Sequence, residues 1–127
     1  MPSGDQEVEK VLHALRALRD ATGHAELTVN SAVCFFAVAA WPDDGQRPTV
    51  TDIAGQLGWD AQLVSRAIGP LLDMHRVDRK GLGLIVSRAS EADRRRRALS
   101  LTTKGRRVLT AIHEAISTVE TPERRRP

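Results

Sequence analysis

Apolar side chains recur at helical spacing in the first third of the chain. A helix over residues 6–20 collects five of them on one face, namely Val8, Val11, Leu12, Leu15 and Leu18. Gly23 ends this pattern, and either Thr28 or Asn30 is a suitable N-cap for a second helix that extends to Trp41. Because the apolar residues of the second helix are nearly continuous, we expect it to be central and buried.

Two short helices joined by a tight turn are predicted next. Thr49 and Asp52 form a capping-box pattern, with Asp in the position that Glu or Gln usually takes. Gly58 ends the first of these helices, and Asp60 is a good N-cap for the second. The second helix has an apolar stripe made of Leu63, Val64, Ala67, Ile68 and Leu71. Residues 49–74 thus have the sequence form of a helix-turn-helix.

After Met74 the pattern changes from helical spacing to alternation. Two strands of a hairpin are predicted over about residues 82–101 from the apolar positions Leu82, Leu84, Val86, Leu99 and Leu101. The segment between them, SRASEADRRRRA, is too charged for a core and suits an exposed hairpin tip. Thr102 or Thr103 then caps a last helix, whose apolar face holds Val108, Leu109, Ile112, Ala115, Ile116 and Val119.

This order of elements predicts a mainly α-helical chain with a small β-hairpin wing, in the α+β class. We expect a winged helix-turn-helix in a single domain over residues 1–120. Its flanking helices, at about 6–20 and 103–119, carry amphipathic stripes that need an apolar partner. Residues 121–127, TPERRRP, are expected to form a disordered basic tail.

Charge is divided unevenly along the 127 residues. Residues 1–75 hold 5 Lys and Arg against 10 Asp and Glu, a net charge of −5, whereas residues 76–127 hold 14 against 6, a net charge of +8. A basic segment of this density attracts polyanions, because neutralising phosphates releases counterions. A merely solvated basic surface is the alternative. The chain has only two Trp, two Phe and no Tyr, which argues against binding single strands by stacking bases on aromatic side chains.

The sequence offers no catalytic or metal-binding constellation. A single cysteine excludes an internal disulfide and a cysteine zinc cluster. The four histidines, His13, His24, His75 and His113, lack metal-like spacing, and no nucleophile, base and oxyanion site can be assembled. We therefore expect no enzyme, no cofactor and no metal. Cys34 lies in an apolar helix and reads as a small buried hydrophobe; the alternative, a redox-sensing thiol, requires exposure and a lowered pKa.

The ends of the chain and its hydropathy bear on its location. The first ten residues, MPSGDQEVEK, are polar and acidic, unlike a secretory signal. No apolar run reaches the roughly 18 residues of a membrane span. We therefore expect a cytoplasmic protein with no membrane partner.

The second helix of a helix-turn-helix enters the major groove of DNA with its N-terminal residues facing the base edges. The outward positions there are Ala61, Gln62, Ser65 and Arg66. Gln62 can pair with adenine, Arg66 with guanine or a phosphate, and Ser65 with either a base or a phosphate. The alternative is a solvated polar helix face.

The wing carries a run of cations at its tip, which favours contact with a narrow minor groove. The residues concerned are Arg88, Asp93, Arg94, Arg95, Arg96 and Arg97. Asp93 can hold one guanidinium in a bidentate ion pair and present it preformed. Because alternate residues of a strand face opposite ways, only about half of these arginines can face DNA together.

These residues resemble the MarR family of winged-helix transcriptional regulators over about residues 28–105. The resemblance begins at Leu27-Thr28 and continues through TVTDIAGQLG and DAQLVSRAIGPL. It is sharpest in DRRRRALSLTTKG, which is similar to the family's wing signature of Asp-x-Arg followed by Leu-Thr-x-x-Gly. In that comparison Gln62, Ser65 and Arg66 match the recognition helix, and Asp93 and Arg95 match the wing motif.

The resemblance implies a homodimer held by the N- and C-terminal helices, with recognition helices in successive major grooves of a pseudo-palindrome. It also implies a small-molecule effector of unknown identity in many members. The sequence departs from the family pattern at Gly69-Pro70, which kinks or ends the recognition helix. His75 replaces a C-capping Gly, and the long stretch to Asp93 predicts an extra turn at Gly81-Leu82-Gly83. The last helix stops near Val119, where the family commonly adds another long helix.

The sequence therefore predicts a sequence-specific double-stranded DNA-binding regulator, acting as a dimeric repressor on an inverted repeat. Two alternatives remain. A winged helix can serve as a protein–protein interaction module, because fold does not dictate function. The basic wing can also bind DNA without reading its sequence.

Overall fold

A computed structural model describes residues 4–23, 26–43, 45–72, 74–76, 79–90 and 93–119, with the backbone alone for residues 74–76 and 79–80. His24, the side chain of His75 and the tail at 121–127 lie outside this description. The chain divides into two compact units. We call Glu26–Arg106 the winged unit, and Met1–Ala25 with Arg107–Pro127 the terminal unit.

The terminal unit contains helix α1, Gln6–Ala21, as its N-terminal element. The Asp5 carboxylate caps this helix by accepting hydrogen bonds from the backbone N–H groups of Glu7 and Val8. Ala14 and Leu18 are buried, whereas four other apolar residues of the predicted stripe are between 48% and 61% exposed, namely Val8, Val11, Leu12 and Leu15. The helix was predicted from its apolar stripe, and much of that stripe faces solvent in the isolated chain.

The winged unit is built around helix α2, Val29–Ala40, which Thr28 rather than Asn30 caps. Cys34, Phe35 and Val38 of α2 are fully buried, as its continuous apolar sequence predicted. Helix α3, Val50–Leu57, begins at the predicted capping box and ends at Gly58, whose φ of 70° is the left-handed conformation that favours glycine.

Helix α4, Ala61–Ile68, is the second helix of the helix-turn-helix and is capped by Asp60. It is shorter than its apolar stripe suggested, because Pro70 cannot donate a helical hydrogen bond and the chain tightens into a 3-10 turn at Gly69–Leu71. The buried Ser31 hydroxyl donates to the Ala67 carbonyl at 2.6 Å. A side chain of α2 thereby satisfies a carbonyl at the C-terminal end of α4.

Two antiparallel hairpins follow, of which the sequence predicted one. A short ladder pairs β1, Met74–Arg76, with β2, Arg79–Lys80, and was missed. The wing pairs β3, Ile85–Ala89, with β4, Arg97–Leu101, in unbroken register. The strands thus take up both ends of the segment expected to form the tip, and Leu82 and Leu84 precede β3.

The predicted extra turn at Gly81-Leu82-Gly83 lies between the two hairpins. Leu82 N–H donates to the Pro70 carbonyl at 2.8 Å, and Gly83 N–H donates to the Leu72 carbonyl at 3.1 Å. A Cβ at Gly81 would collide with the Leu72 carbonyl, so this close backbone approach requires glycine. The turn therefore fastens the wing to the end of the helix-turn-helix.

Arg47 links three elements of the winged unit. Its guanidinium donates to the Val38 carbonyl of α2 at 3.0 Å and to the Leu99 carbonyl of β4 at 3.3 Å. The segment is further paired with β4 through Leu99 N–H and the Pro48 carbonyl at 2.8 Å. The backbone carbonyl of Arg47 in turn accepts a hydrogen bond from the Arg96 guanidinium at 2.7 Å.

The last helix, α5, Thr103–Ser117, starts in the winged unit and continues in the terminal unit, where Val108 and Ile112 are buried. Thr102, one of the two predicted caps, accepts the Gly105 N–H at its hydroxyl. No helix in the described part of the chain is long and apolar enough to cross a membrane.

Replacing Arg96 by Ala should lower the free energy of unfolding by about 1–2 kcal/mol. The Arg96 side chain is 21% exposed and also lies 3.4 Å from the Asp52 carboxylate, so its removal leaves both acceptors without this donor. Arg94→Ala is the matched control, because Arg94 is an exposed neighbour, and should change stability by no more than about 0.5 kcal/mol. Urea unfolding measures both, and equal midpoints would contradict the structural role of Arg96.

The Cys34 thiol should be unreactive in the folded protein. Burial raises its pKa above the ordinary value, so the nucleophilic thiolate is depleted at neutral pH. We expect modification by a disulfide reagent to be about a hundredfold slower in buffer than in denaturing urea, because the thiol reacts only when the structure opens. Rapid labelling of the native chain would instead revive the redox-sensor reading.

Candidate nucleic-acid interface

One face of α4 carries the polar residues that the sequence singled out. Gln62, Ser65 and Arg66 are all exposed, while Val64 and Ile68 on the other face are buried. The exposed positions are three and four residues apart and therefore share one side of the helix. The sequence placed these three side chains outward, and the structure does the same.

The polar groups on this face are available to a ligand. Within the described part of the chain, the side chains of Gln62, Ser65 and Arg66 form no hydrogen bond or ion pair. The first turn is nevertheless fixed, because the Asp60 carboxylate accepts the Gln62 N–H at 3.0 Å. A rigid helix thus presents an amide, a hydroxyl and a guanidinium that can pair with base edges or phosphates.

Asp93 shapes the tip of the wing in a way the sequence did not predict. Its carboxylate accepts the backbone N–H of Arg95 at 3.0 Å, and its carbonyl accepts the N–H of Arg96 at 2.9 Å. The expected ion pair between Asp93 and a guanidinium is absent among the described side chains. Asp93 therefore stabilises the turn, as aspartates do when they bond to the backbone two residues on, and leaves the arginine side chains unpaired with it.

The five arginines of the wing divide into two groups. Arg96 binds the Arg47 carbonyl and the Asp52 carboxylate, and Arg97 donates to the hydroxyl and the carbonyl of Ser87. The other three are exposed and make no hydrogen bond or ion pair with described residues: Arg88, Arg94 and Arg95. The sequence grouped Arg96 with the DNA contacts, whereas its geometry fits a role in fixing the wing.

The link between Arg96 and Asp52 joins the wing to the first helix of the helix-turn-helix. Asp52 already accepts the Thr49 N–H at 3.0 Å as the second half of the capping box. One carboxylate thus serves both the helix start and the wing, which explains why an Asp can stand where Glu is usual. No local pattern could reveal this pairing, because the two residues are 44 positions apart.

The described residues contain no group of three or more His, Cys, Asp or Glu side chains that could hold a metal ion. The polar groups with unused hydrogen-bonding capacity on α4 and on the wing are mostly donors. Such a surface suits an anionic partner that offers acceptors.

Comparison with known proteins identifies the fold. No family model and no curated protein matches the sequence. Among solved structures, the MepR–DNA complex of S. aureus superposes with a TM-score of 0.65 at 23% identity, covering 93% of this chain and 84% of MepR. CouR from Rhodococcus jostii RHA1, bound to p-coumaroyl-CoA, gives a TM-score of 0.55 at 20% identity, covering 84% of this chain and 66% of CouR.

A MarR family transcription regulator is a third similar structure, with a TM-score of 0.57 at 21% identity, covering 89% of this chain and 70% of that one. These likenesses extend through the helix-turn-helix and the wing. The chain therefore has the winged helix-turn-helix fold of the MarR family regulators.

Proposed function

We propose that this protein is a MarR-type transcriptional regulator that binds double-stranded DNA as a homodimer. The observation that carries the proposal is the exposed polar face of α4, whose first turn is fixed by Asp60 and whose opposite face is buried. A helix held in this way can enter the major groove without rearranging. The MepR structure, which contains DNA and shares the fold, supports this reading.

The face of α4 supplies the base contacts in this proposal. Gln62 pairs with the N6 and N7 positions of adenine, and Arg66 pairs with guanine or with a phosphate. Ser65 has a short side chain that reaches either a base or a phosphate. Because phosphate contacts position a protein while base contacts specify the sequence, Gln62 is the main candidate for specificity.

The wing supplies contacts to the minor groove and the backbone. Arg94 and Arg95 lie at the tip, and Asp93 holds the turn that presents them. Arg88 lies on β3 near the tip and is placed for a phosphate. We assign Arg96 to positioning the wing, since its guanidinium already binds Arg47 and Asp52.

The terminal unit supports the homodimer part of the proposal. Val8, Val11, Leu12 and Leu15 form an exposed apolar stripe on α1, and large exposed apolar patches mark interaction sites. A second copy of the chain covers this stripe in our proposal and places two recognition helices on an inverted repeat. Binding to such an operator blocks transcription, which makes a repressor the preferred assignment.

Two further points belong to the proposal. The CouR structure holds p-coumaroyl-CoA, and by analogy a small-molecule effector of unknown identity controls DNA binding here. The alternative functions are an interaction module for an acidic protein and a DNA-binding protein that reads no sequence. Preference for one operator over random duplex separates both from the regulator.

Selection from a random duplex library at about 0.15 M salt should enrich an inverted repeat, with half-sites about one helical turn apart. Gln62→Ala should then lose about 1–3 kcal/mol of discrimination at one base pair of each half-site, because the bidentate contact is gone. Recovery of a pool without consensus would reject sequence-specific reading.

Arg95→Ala should weaken binding to operator and random duplex alike and should reduce the salt dependence of the affinity, because a guanidinium at the backbone releases counterions. Arg16→Ala is the control with the same change of charge, on the exposed side of α1. Fluorescence anisotropy over a salt series measures the effect. An Arg95 variant that keeps the wild-type salt slope would place the wing tip away from DNA.

Leu12→Glu should convert the dimer to a monomer, because it puts a charge in the apolar stripe, where Leu12 is 57% exposed in the single chain. Sedimentation equilibrium should give twice the 13.9 kDa chain mass for the wild type and a single chain mass for the variant. Arg16→Glu, at an exposed polar position of the same helix, should remain dimeric. A wild-type monomer that still binds an inverted repeat would disprove the dimer while sparing DNA binding.

A further inference from the structure

An open cavity of about 620 Å³ lies on the outer face of the wing, entirely within the winged unit. It is lined by β3, β4 and the first turn of α5, including Val86, Arg88, Leu101, Lys104 and Arg106. Its volume falls in the range of about 300–1,000 Å³ that is typical of small-molecule sites. The polar face of α4 contributes nothing to it, so the cavity is separate from the proposed base-reading surface.

The charge of the cavity has one sign. Three cations, Arg88, Lys104 and Arg106, line it, and none of its lining residues is acidic. Arg88 comes from a strand and the other two come from a helix, so the positive charge converges from two elements. The side chains of Arg88 and Lys104 have no hydrogen-bond or ion-pair partner among the described residues. An anion in the cavity would relieve the repulsion among these cations.

The cavity wall is held rigidly. The Thr102 hydroxyl donates to the Gly83 carbonyl at 2.6 Å and accepts the Gly105 N–H at 2.9 Å. A Cβ at Gly105 would collide with the Leu84 carbonyl, so the first turn of α5 lies directly against the chain that precedes β3. Arg106 is fixed by a hydrogen bond from its guanidinium to the Leu101 carbonyl at 3.0 Å. The cations therefore stand on a preformed wall.

The composition of the wall defines the ligand. Val86 and Leu101 offer apolar contact, while Ser100 and Thr103 offer hydroxyl groups. Lys104 and the positive end of α5 favour a negative group at the first turn of that helix. We propose that this cavity binds a small organic carboxylate, with its carboxylate at Lys104 and Arg88 and its apolar part against Val86 and Leu101.

Titration of the free, isotopically labelled protein by NMR tests this site without DNA, so the result does not depend on the proposed function. Benzoate is the probe that combines a carboxylate with an apolar ring. It should cause saturable shifts at the amides of Val86, Thr103 and Lys104. Acetate, which lacks the ring, should bind more weakly, and benzyl alcohol, which lacks the charge, should cause no saturable shift there.

Lys104→Gln should weaken benzoate binding about tenfold, as expected when a charge-assisted hydrogen bond is lost. Arg94→Gln removes the same charge from the wing tip, outside the cavity, and should bind benzoate like the wild type. Both changes are at exposed positions, and an unchanged spectrum outside the site confirms that each variant is folded. The site is wrong if benzoate does not saturate, if benzyl alcohol binds equally well, or if Lys104→Gln and Arg94→Gln behave alike.

Discussion

The winged unit depends on a single partly buried guanidinium, that of Arg47. The last carbonyls of a helix have no partner within the helix and must be satisfied by other groups. Arg47 supplies donors to Val38 and Trp41 at the end of α2, where a positive charge also complements the helix dipole. The same guanidinium reaches Leu99 of the wing, so the end of the buried helix and the hairpin share one donor group.

This arrangement separates positioning from recognition. Arg47 and Arg96 use their guanidinium groups within the fold, and Ser31 satisfies the end of α4, whereas Gln62, Arg66, Arg94 and Arg95 keep theirs unpaired. Contacts that set geometry are thus buried or half-buried, and groups suited to an anionic partner stay exposed. A rigid frame lowers the entropy lost on binding, because the helix and the wing need little ordering when a ligand arrives.

Most of the fold and the outward face of α4 could be predicted from sequence, because the signals are local. A capping box spans three residues, a left-handed turn needs one glycine, and a helical stripe repeats within a few turns. The roles of individual arginines could not be predicted in this way. Five arginines in one short wing look alike in sequence, yet Arg96 and Arg97 differ from Arg94 and Arg95 only in the acceptors that the fold places beside them.

The sequence by itself determined the order of helices, the capped helix-turn-helix, the charged wing and the residues that face outward from α4. Only the tertiary structure decided the partners of Arg47, Ser31 and Arg96, which lie 52, 36 and 49 positions away along the chain. It also decided the small hairpin at β1 and β2 and the cation-lined cavity beside α5. The physical reason is range: backbone preferences act over a few residues, whereas these features require distant segments to be packed together.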